Sequence, residues 1–366
     1  MPPIPPLPPE TELETRAVLK QLAQAHRYLA ELKGMAATIP NEHILINTLS
    51  LQEAKDSSEI ENVITTQDDL YKANLFADYI RNPAAKEVNR YATALKSAFE
   101  QVRNDGLITV NRIIEIHRIL EQNDAGIRTQ GGTVLKNEST GETVYTPPQT
   151  HEEIVRLLAN LEQYINDDAL SDVDPLVKMA VIYHQFESIH PFYDGNGRTG
   201  RIINILYLVA RGLLDIPVLY LSRYIIRNKD DYYRHLQAVR DTGDWEPWLI
   251  YLLQGVEQTA RQTIWIIRRI KEIMQDTKHR IRAELPKIYS QDLLNNLFRH
   301  PYTRIESVQQ DLGVSRLTAT KYLERLTESG FIEKHKIGRY NYYVNRPLMD
   351  VFSDIPDISQ EARGRE

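Results

Sequence analysis

The chain has 366 residues, 42% of them hydrophobic and 26% charged, with a formal net charge of -6 at pH 7. That length allows two or three folded domains, and the acidic balance argues against a general polyanion-binding protein. The absence of cysteine excludes disulfides, thiolate catalysis and zinc–thiolate sites, and no apolar run reaches the ~18 residues of a membrane span. The N-terminus lacks the features of a signal peptide, so a cytoplasmic protein without a membrane partner is expected.

The N-terminal part of the chain is predicted to be helical after a proline-rich start. Residues 1–9 combine prolines with Ile4 and Leu7, and such a segment favours polyproline II. Because the two apolar side chains need burial, a strap over the protein's own surface is favoured over a ligand for a partner domain. Apolar residues at helical spacing predict helices over residues 10–35, 44–54, 68–81, 83–104 and 110–123.

A polar segment follows the second of these helices. Ser57 and Glu61 are four residues apart and therefore share one helical face, and Asn62 follows as a candidate left-handed cap. Taken alone, this segment indicates only the polar end of a helix.

Residues 131–148 change character and predict a β-hairpin. Two β-rich runs, residues 133–135 and 142–146, flank a polar turn that contains Gly141. By itself this pattern is also that of a surface hairpin without a function. The helical pattern returns over residues 152–166.

The most informative stretch of the chain is residues 190–201, His-Pro-Phe-Tyr-Asp-Gly-Asn-Gly-Arg-Thr-Gly-Arg. Apolar helical patterns flank it on both sides, so a short loop joins two buried helices. Gly195 and Gly197 can adopt backbone angles closed to other residues, and the second helix turns its positive dipole end to the loop. Backbone amides in such a loop make an anion site that suits phosphate best.

Four side chains add chemistry to this anion site. Arg198 and Arg201 project from one face of the first helical turn, where guanidinium groups can hold further phosphates. Asp194 is the hard carboxylate that a magnesium–phosphate complex needs. His190, just before the loop, is the candidate general base. The alternative, a glycine-rich connection with solvated arginines, is disfavoured because so many elements coincide at fixed spacing.

The remaining patterns leave more than one interpretation open. Tyr232 and Tyr233 suit either an adenine pocket or the core, whereas His184 and Glu187 are interpreted as structural. A helix over residues 257–276 leads to a last domain at about 285–345. Its helix–turn–helix and strand pair predict a winged helix.

The charge of this last domain gives limited support for DNA binding. From residue 301 to 345 there are seven Lys or Arg and five acidic residues, a net of +2, which is thin for a phosphate-contacting surface. Arg316 and Lys321 on the predicted recognition helix are the candidate DNA contacts. A protein-interaction or packing role explains the domain equally well.

The central stretch resembles the signature of the Fic (Fido) family, HxFx(D/E)GNGRxxR. The matching residues are His190, Phe192, Asp194, Gly195, Asn196, Gly197, Arg198 and Arg201. Ser57, Glu61 and Asn62 match the (S/T)xxxE(G/N) inhibitory motif, whose position resembles the subclass with an N-terminal inhibitory helix. The resemblance implies a mainly α fold, in which a Fic-type helical core with a β-hairpin flap is joined to a C-terminal winged-helix domain.

The resemblance also implies a protein adenylyltransferase that transfers AMP from ATP, with Mg²⁺ or Mn²⁺, to a Tyr, Thr or Ser hydroxyl. His190 is then the base, Asp194 the metal ligand, and Glu61 an inhibitor that pairs with Arg201. The predicted ATP-binding residues are Gly195, Asn196, Gly197, Arg198, Thr199, Gly200, Arg201 and Tyr233. The predicted target-docking edge of the flap comprises Thr133, Val134, Leu135, Thr143 and Val144, and Arg128 fits the family pattern before the flap.

The implied partners are an unidentified protein substrate and the chain itself, through self-AMPylation, with a homodimer and DNA left open. Two other functions remain: a Fic enzyme that removes AMP or transfers another phosphate-containing group, and a DNA-binding regulator with a nucleotide-sensing core. The predicted division is an N-terminal helical region with the inhibitory helix over 1–105, the Fic core over 106–255, a linker helix over 256–284, and the winged helix with its tail over 285–366.

Overall fold

The computed structural model describes residues 4–76, 82–136 and 140–356. Helices dominate these residues and two small antiparallel sheets complete them, so the mainly α prediction is confirmed. Five helices form the N-terminal part: α1 Arg16–Ala36, α2 Glu42–Ile60, α3 Gln67–Leu75, α4 Pro83–Asp105 and α5 Val110–Glu121. The predicted helix over 68–81 therefore ends at residue 75, and residues 77–81 lie outside the described part.

The middle of the chain holds the hairpin and the buried central helices. Strands β1 Leu135–Lys136 and β2 Thr143–Tyr145 pair in an antiparallel register, as predicted, while the turn residues 137–139 lie outside the described part. The helices that follow are α6 His151–Asn166, α7 Pro175–Ile189, α8 Asn196–Ala210, α9 Ser222–Arg227, α10 Lys229–Thr242 and α11 Glu246–Glu284, with a short 3-10 helix Asp168–Leu170 before α7. Helix α7 is buried all round from Leu176 to Ile189, so α7 and α8 form the centre of the core.

The C-terminal part is a small mixed domain. Its elements are α12 Gln291–Arg299, β3 Tyr302–Thr303, α13 Ile305–Leu312, α14 Arg316–Glu328, β4 Glu333–Ile337, β5 Tyr340–Val344 and α15 Arg346–Ser353. The strand order is β3-β5-β4, with both pairs antiparallel. Helix–turn–helix and strand pair thus occur where they were predicted, and the winged-helix assignment itself stays a prediction.

Two differences from the predicted elements have plain physical causes. Helix α2 runs on through Ser57 to Ile60, because its polar residues are buried as well and erase the apolar periodicity. Helix α11 is longer than its apolar pattern indicated and packs along α1 before it reaches the C-terminal domain. The predicted boundary at residue 256 falls inside α11, and the division into domains stays a prediction.

The described part of the proline-rich start, residues 4–9, lies on the protein's own surface, as expected. The backbone N–H of Leu7 donates to Oδ1 of Asn160 at 2.7 Å, and its carbonyl accepts from Nδ2 at 3.0 Å. Gln185 donates to the carbonyl of Pro5, and Leu7 is buried. Within the described residues, none of the helices has a stretch long and apolar enough to cross a membrane.

Candidate active site

The loop between α7 and α8 is fixed by backbone contacts from a buried arginine. His190 ends α7 in the left-handed region, with φ 48° and ψ 60°, which is costly for a residue other than glycine. Arg128, fully buried, donates from Nε to the carbonyl of His190 at 2.8 Å, and its N–H donates to the carbonyl of Pro191 at 2.9 Å. Arg128 therefore holds the candidate base at the start of the loop.

The loop is also braced from inside. The side chain of Asn196 accepts from the N–H of Phe192 and donates to its carbonyl, both at 2.9 Å. The ring of Phe192 stacks on His117 with centroids 3.8 Å apart, and Nε2 of His117 lies 3.1 Å from the carbonyl oxygen of Asp194. These contacts stabilise the loop in the conformation seen in the structure.

The start of α8 offers backbone donors to an anion. Gly195 precedes the helix with φ 71°, and no side chain caps this end of α8. The first amides of α8 have no acceptor within the helix. A Cβ built on Gly197 would lie 2.3 Å from Oε1 of Glu61, so the carboxylate of Glu61 lies directly over this end of the helix. Glu61 thus occupies space beside the predicted phosphate site.

Arg201 is the partner of the α2 end, as predicted. Its guanidinium donates to Oγ of Ser57 at 2.7 Å, to the carbonyl of Ser57 at 3.0 Å and to Oε1 of Glu61 at 2.8 Å. Burial alone would raise the pKa of Glu61, but Arg201, with help from Arg198 and Lys229, outweighs this and lowers it. Glu61 is therefore ionised at neutral pH. Asn62 follows it with φ 62°, in the left-handed conformation of a helix cap.

Arg198 faces a different set of groups. Its guanidinium donates to Glu87 of α4 and, at 2.9 Å, to Oε1 of Glu121 at the end of α5. Only 4% of its side chain is exposed. The two carboxylates compete with any phosphate for Arg198, which the sequence had assigned to ATP binding.

The protonation states at the end of α7 suit a neutral base. Burial, with Arg240 and Arg128 nearby, lowers the pKa of His190 to about 4, so the imidazole is uncharged at pH 7. Burial raises the pKa of Glu187 to about 7, although Arg201 acts against it. Glu187, interpreted from the sequence as structural, has its Oε1 buried below Gly200 without a hydrogen-bond partner among the described residues.

Asp194 is an open carboxylate at the edge of the site. Its side chain is 83% exposed and accepts from the N–H of Gly195 at 2.7 Å. Within the described residues, no group of three or more His, Asp or Glu could hold a metal by itself. Asp194 suits a cation that brings further oxygen ligands from phosphates, and its role as metal ligand stays a prediction.

The other predicted ATP-binding residues divide into two groups. Thr199 and Gly200 face the core: the Thr199 hydroxyl donates to the carbonyl of Gly195 at 2.8 Å, and Gly200 packs on Tyr183 and Phe186. Tyr233 is half exposed on α10, and Nζ of Lys229 lies 6.0 Å from the centre of its ring. Since Lys229 also donates to the carbonyl of Ile60 at 2.7 Å, Tyr233 lies close to the end of α2.

The flap lies against the end of α7. Tyr145 of β2 donates to the carbonyl of Ser188 at 3.0 Å, and the guanidinium of Arg240 lies 3.9 Å above its ring. Val134 and Val144 are exposed, so side chains of the predicted docking edge face solvent. The flap residues Thr133, Val134, Leu135, Thr143 and Val144 are therefore brought near His190 through Tyr145, at the side of the loop.

Sequence reasoning missed four residues that shape this site. They are Glu87, Glu121, Lys229 and Arg240. No local pattern marks them, because each meets the site only after helices distant in sequence have packed together.

Three family models match the chain in succession. Residues 19–100 match the Fic/DOC family N-terminal model, and residues 107–208 match the Fic/DOC family model. Residues 273–348 match the C-terminal domain of the SoFic-like protein adenylyltransferases.

The chain is also similar to named proteins and solved structures. It is 29% identical over 162 residues to protein adenylyltransferase fic-1 of Caenorhabditis briggsae, which covers 43% of this chain and 29% of that protein. Protein adenylyltransferase Fic of Drosophila melanogaster is 26% identical over 162 residues, 43% of this chain and 30% of that protein. The chain thus spans about three tenths of the length of these curated relatives.

A Fic family protein from Desulfovibrio desulfuricans shares the fold, with a TM-score of 0.58 at 22% identity over 92% of this chain and 98% of that one. Fic-1 from Caenorhabditis elegans gives a TM-score of 0.53 at 20% identity, over 68% of this chain and 72% of that one.

Proposed function

Because the chain belongs to the Fic/DOC family, we propose that it is a protein adenylyltransferase that moves AMP from ATP to a hydroxyl group of a protein. The observation that carries this proposal is the pairing of an uncharged His190 with the uncapped start of α8, across one braced loop. A base beside a phosphate site is what transfer of a phosphorus group to a hydroxyl requires. The relatives are named protein adenylyltransferases, which indicates that the transferred group is adenylyl.

The chemical step follows from these positions. The hydroxyl oxygen of the target attacks the α-phosphorus of ATP, the bond to pyrophosphate breaks, and the hydroxyl proton passes to the imidazole of His190. The amides of Asn196 and Gly197 at the start of α8 stabilise the charge that builds up on the phosphate oxygens. The divalent cation that accompanies ATP would add positive charge at the phosphates, with Asp194 as its protein ligand.

Arg201 and Glu61 provide the proposed control. In the structure Arg201 is committed to Ser57 and Glu61, so its guanidinium is not available to a terminal phosphate. The carboxylate of Glu61 over Gly197 would also repel that phosphate. Movement of the α2 end would free Arg201 and remove the negative charge, which turns the enzyme on. A small misplacement is enough, since about 1 Å can cost about 10²-fold in rate.

The protein substrate is proposed to dock on the flap. Its β1–β2 hairpin is two-stranded, and a two-stranded sheet leaves edges to which an extended peptide can add as a strand. A Tyr, Thr or Ser of such a peptide would then be held beside His190. The chain's own exposed hydroxyls are available to the same reaction, so self-AMPylation is part of the proposal.

Labelled ATP tests this function directly. The full chain with Glu61→Gly is incubated with cell lysate and ATP labelled at either the α- or the γ-phosphate. The α-label should appear in protein and the γ-label should not, and His190→Ala in the same background should remove the signal. Transfer of the γ-label, or α-label transfer that survives His190→Ala, would contradict the proposal.

The alternative of a DNA-binding regulator finds little support in the charges of α14. Arg316, one of the two candidate DNA contacts, is 2.6 Å from Glu306, and Lys334 of β4 lies 3.9 Å from Glu324. Paired cations of this kind give little net attraction to phosphates. Retention of the full chain on duplex DNA at moderate salt, lost in Lys321→Ala, would favour the regulator instead.

A further inference from the structure

A cavity of about 430 Å³ lies between the N-terminal helices and the C-terminal domain. One wall comes from the first half of α2, with His43, Asn47 and Leu51, and the opposite wall from α12 and β3. Lys96 enters from α4. None of the predicted nucleotide or flap residues lines it, and its volume lies within the range of about 300–1,000 Å³ that is typical of small-molecule sites.

The walls of this cavity carry positive charge. The cations Lys96 and Arg299 line it, whereas none of its described lining residues is Asp or Glu. Burial lowers the pKa of His300, another lining residue, to about 3, so its imidazole is neutral at pH 7. Asp311, behind the wall, pairs with Arg299 through two contacts of 3.0 Å, so the charge of Arg299 is partly compensated. Among the described residues that line the cavity, the charge without a carboxylate partner is that of Lys96.

The ammonium group of Lys96 has more N–H donors than it has acceptors among the described residues. It carries three N–H donors, and one of them donates to Oδ1 of Asn47 at 2.7 Å. Among the described residues, no carboxylate forms an ion pair with it. Burial, reinforced by Arg299, lowers its pKa to about 8, so the ammonium form still predominates at pH 7. A half-buried cation without a counter-charge in a cavity of this size is the kind of group that an anion stabilises.

We propose that this cavity binds a small phosphate-bearing anion, with Lys96 as its principal contact and Arg299 on the opposite wall. A phosphate group offers several oxygens at tetrahedral angles, so it can accept from Lys96 and from a free N–H of Arg299 together. The ligand would bridge α2, α4 and the C-terminal domain. It would also offset the repulsion between Lys96 and Arg299.

Because the cavity lies against α2, a ligand bound there would change how easily that helix opens. His43, Asn47 and Leu51 lie in the first half of the helix that ends at Ser57 and Glu61. An anion held between Arg299 and Lys96, which itself donates to Asn47 of α2, links α2 to the C-terminal domain. Local opening of α2 then costs more free energy, because the ligand binds only the closed arrangement.

Hydrogen exchange of the full chain tests the site without reference to the transfer reaction, with inorganic phosphate as the probe and sodium chloride at equal ionic strength as the reference. Phosphate should slow exchange over residues 42–51 and 296–303 in the wild type and in Lys20→Gln, which alters an exposed lysine of α1. In Lys96→Gln the phosphate concentration for half-maximal protection should rise by about tenfold or more, as expected for loss of a charged hydrogen bond.

A second variant guards against a folding defect. Asn47→Asp places a carboxylate beside Lys96 and should abolish the phosphate effect while the chain stays folded. Slower exchange at residues 190–201 reports the other anion site and should persist in all variants. The proposal is overturned if phosphate leaves residues 42–51 and 296–303 unchanged in the wild type, or protects them equally in Lys96→Gln and Asn47→Asp.

Discussion

Arg198 and Arg201 leave the same turn of α8, three residues apart, yet they meet different parts of the protein. Arg198 is enclosed by Glu87 and Glu121, which come from α4 and α5 of the core. Arg201 is held by Ser57 and Glu61 at the last turn of α2. All these carboxylates lie near helix ends, but those of Arg198 come from two separate helices, whereas the end of α2 alone supplies both partners of Arg201. The comparison indicates that Arg198 supports the fold, whereas Arg201 has a partner that can leave.

The strongest test of the different roles of Arg198 and Arg201 is to replace each arginine by alanine in a Glu61→Gly background. Arg201→Ala should lower initial AMP incorporation by about 10²–10³-fold, the usual loss for one donor to a transition-state charge. Arg198→Ala should instead lower stability by on the order of 3 kcal/mol, because it removes the guanidinium that both Glu87 and Glu121 bind. The measurements are the initial rate of AMP transfer and the thermal unfolding of both variants. The reverse pattern would assign Arg198 to phosphate binding and Arg201 to the fold.

A second prediction concerns the buried carboxyl group that Arg201 does not pair with. Glu187 keeps its proton in the folded protein up to about pH 7, whereas an unfolded glutamate releases it near 4.5. Because the folded state then binds more protons, stability should fall as pH rises from about 4.5 to 7 and level off above that. The contribution is on the order of 3 kcal/mol, from a raised pKa in a buried site.

Glu187→Gln should remove this part of the pH dependence, which thermal unfolding at several pH values will measure. Glu53, whose pKa burial also raises to about 7, remains in the variant and should leave a residual slope of the same sign. Glu10→Gln, at an exposed position, is the control. If the wild type and Glu187→Gln have parallel stability curves, Glu187 is ionised below pH 7 and shares Arg201 with Glu61.

The third prediction tests whether the α2 end can be displaced. Glu61→Gly should raise the initial rate of self-modification by about 10- to 100-fold, since it removes the ion pair with Arg201 and the charge over Gly197. Glu59→Gly is the matched control, because Glu59 lies in the same turn but pairs with Lys55. Equal rates for wild type and Glu61→Gly would reduce Glu61 to a helix-end residue.

The sequence allowed the loop and the α2 end to be predicted because their residues are local and unusual in kind. His190, Asp194, Gly195 and Gly197 lie within one stretch of eight residues, and Glu61 was predicted to meet Arg201. The partners of Arg198 could not be found in this way. Glu121 is 77 residues from Arg198 and Glu87 is 111 residues away, and both look like ordinary solvated helix residues in the sequence.

A helix that is buried on all sides shows no apolar periodicity in its sequence, so the pattern does not reveal where the helix ends. Helix α2 buries Ser50, Glu53 and Ser57 together with its leucines, so its pattern ended too early in the prediction. The cavity at Lys96 is a more extreme case, because its walls come from three helices and the C-terminal domain. Such features depend on how elements pack, and no stretch of sequence contains them.

The smallest predicted effect concerns Lys229, a second residue that contacts the end of α2. Lys229 of α10 donates to the carbonyl of Ile60 at 2.7 Å, one residue before Glu61. That carbonyl belongs to the last turn of α2, where carbonyls lack helical donors and a cation is favourable by about 0.3–1 kcal/mol. Lys229 therefore stabilises the closed end of α2 but does not touch Arg201 in the way that Glu61 does. Lys229→Gln should raise the transfer rate by about two- to fivefold, less than Glu61→Gly does.

The double variant decides how Lys229 acts. In the Glu61→Gly background the α2 end no longer blocks Arg201, so Lys229→Gln should have no further effect on the initial rate. Lys20→Gln, at an exposed position of α1, should leave the rate unchanged in both backgrounds. Lys229 also lies near the ring of Tyr233, the candidate adenine contact, so it could instead act on the nucleotide. In that case Lys229→Gln would change the apparent KM for ATP by the same factor with or without Glu61, and the role in holding α2 would be lost.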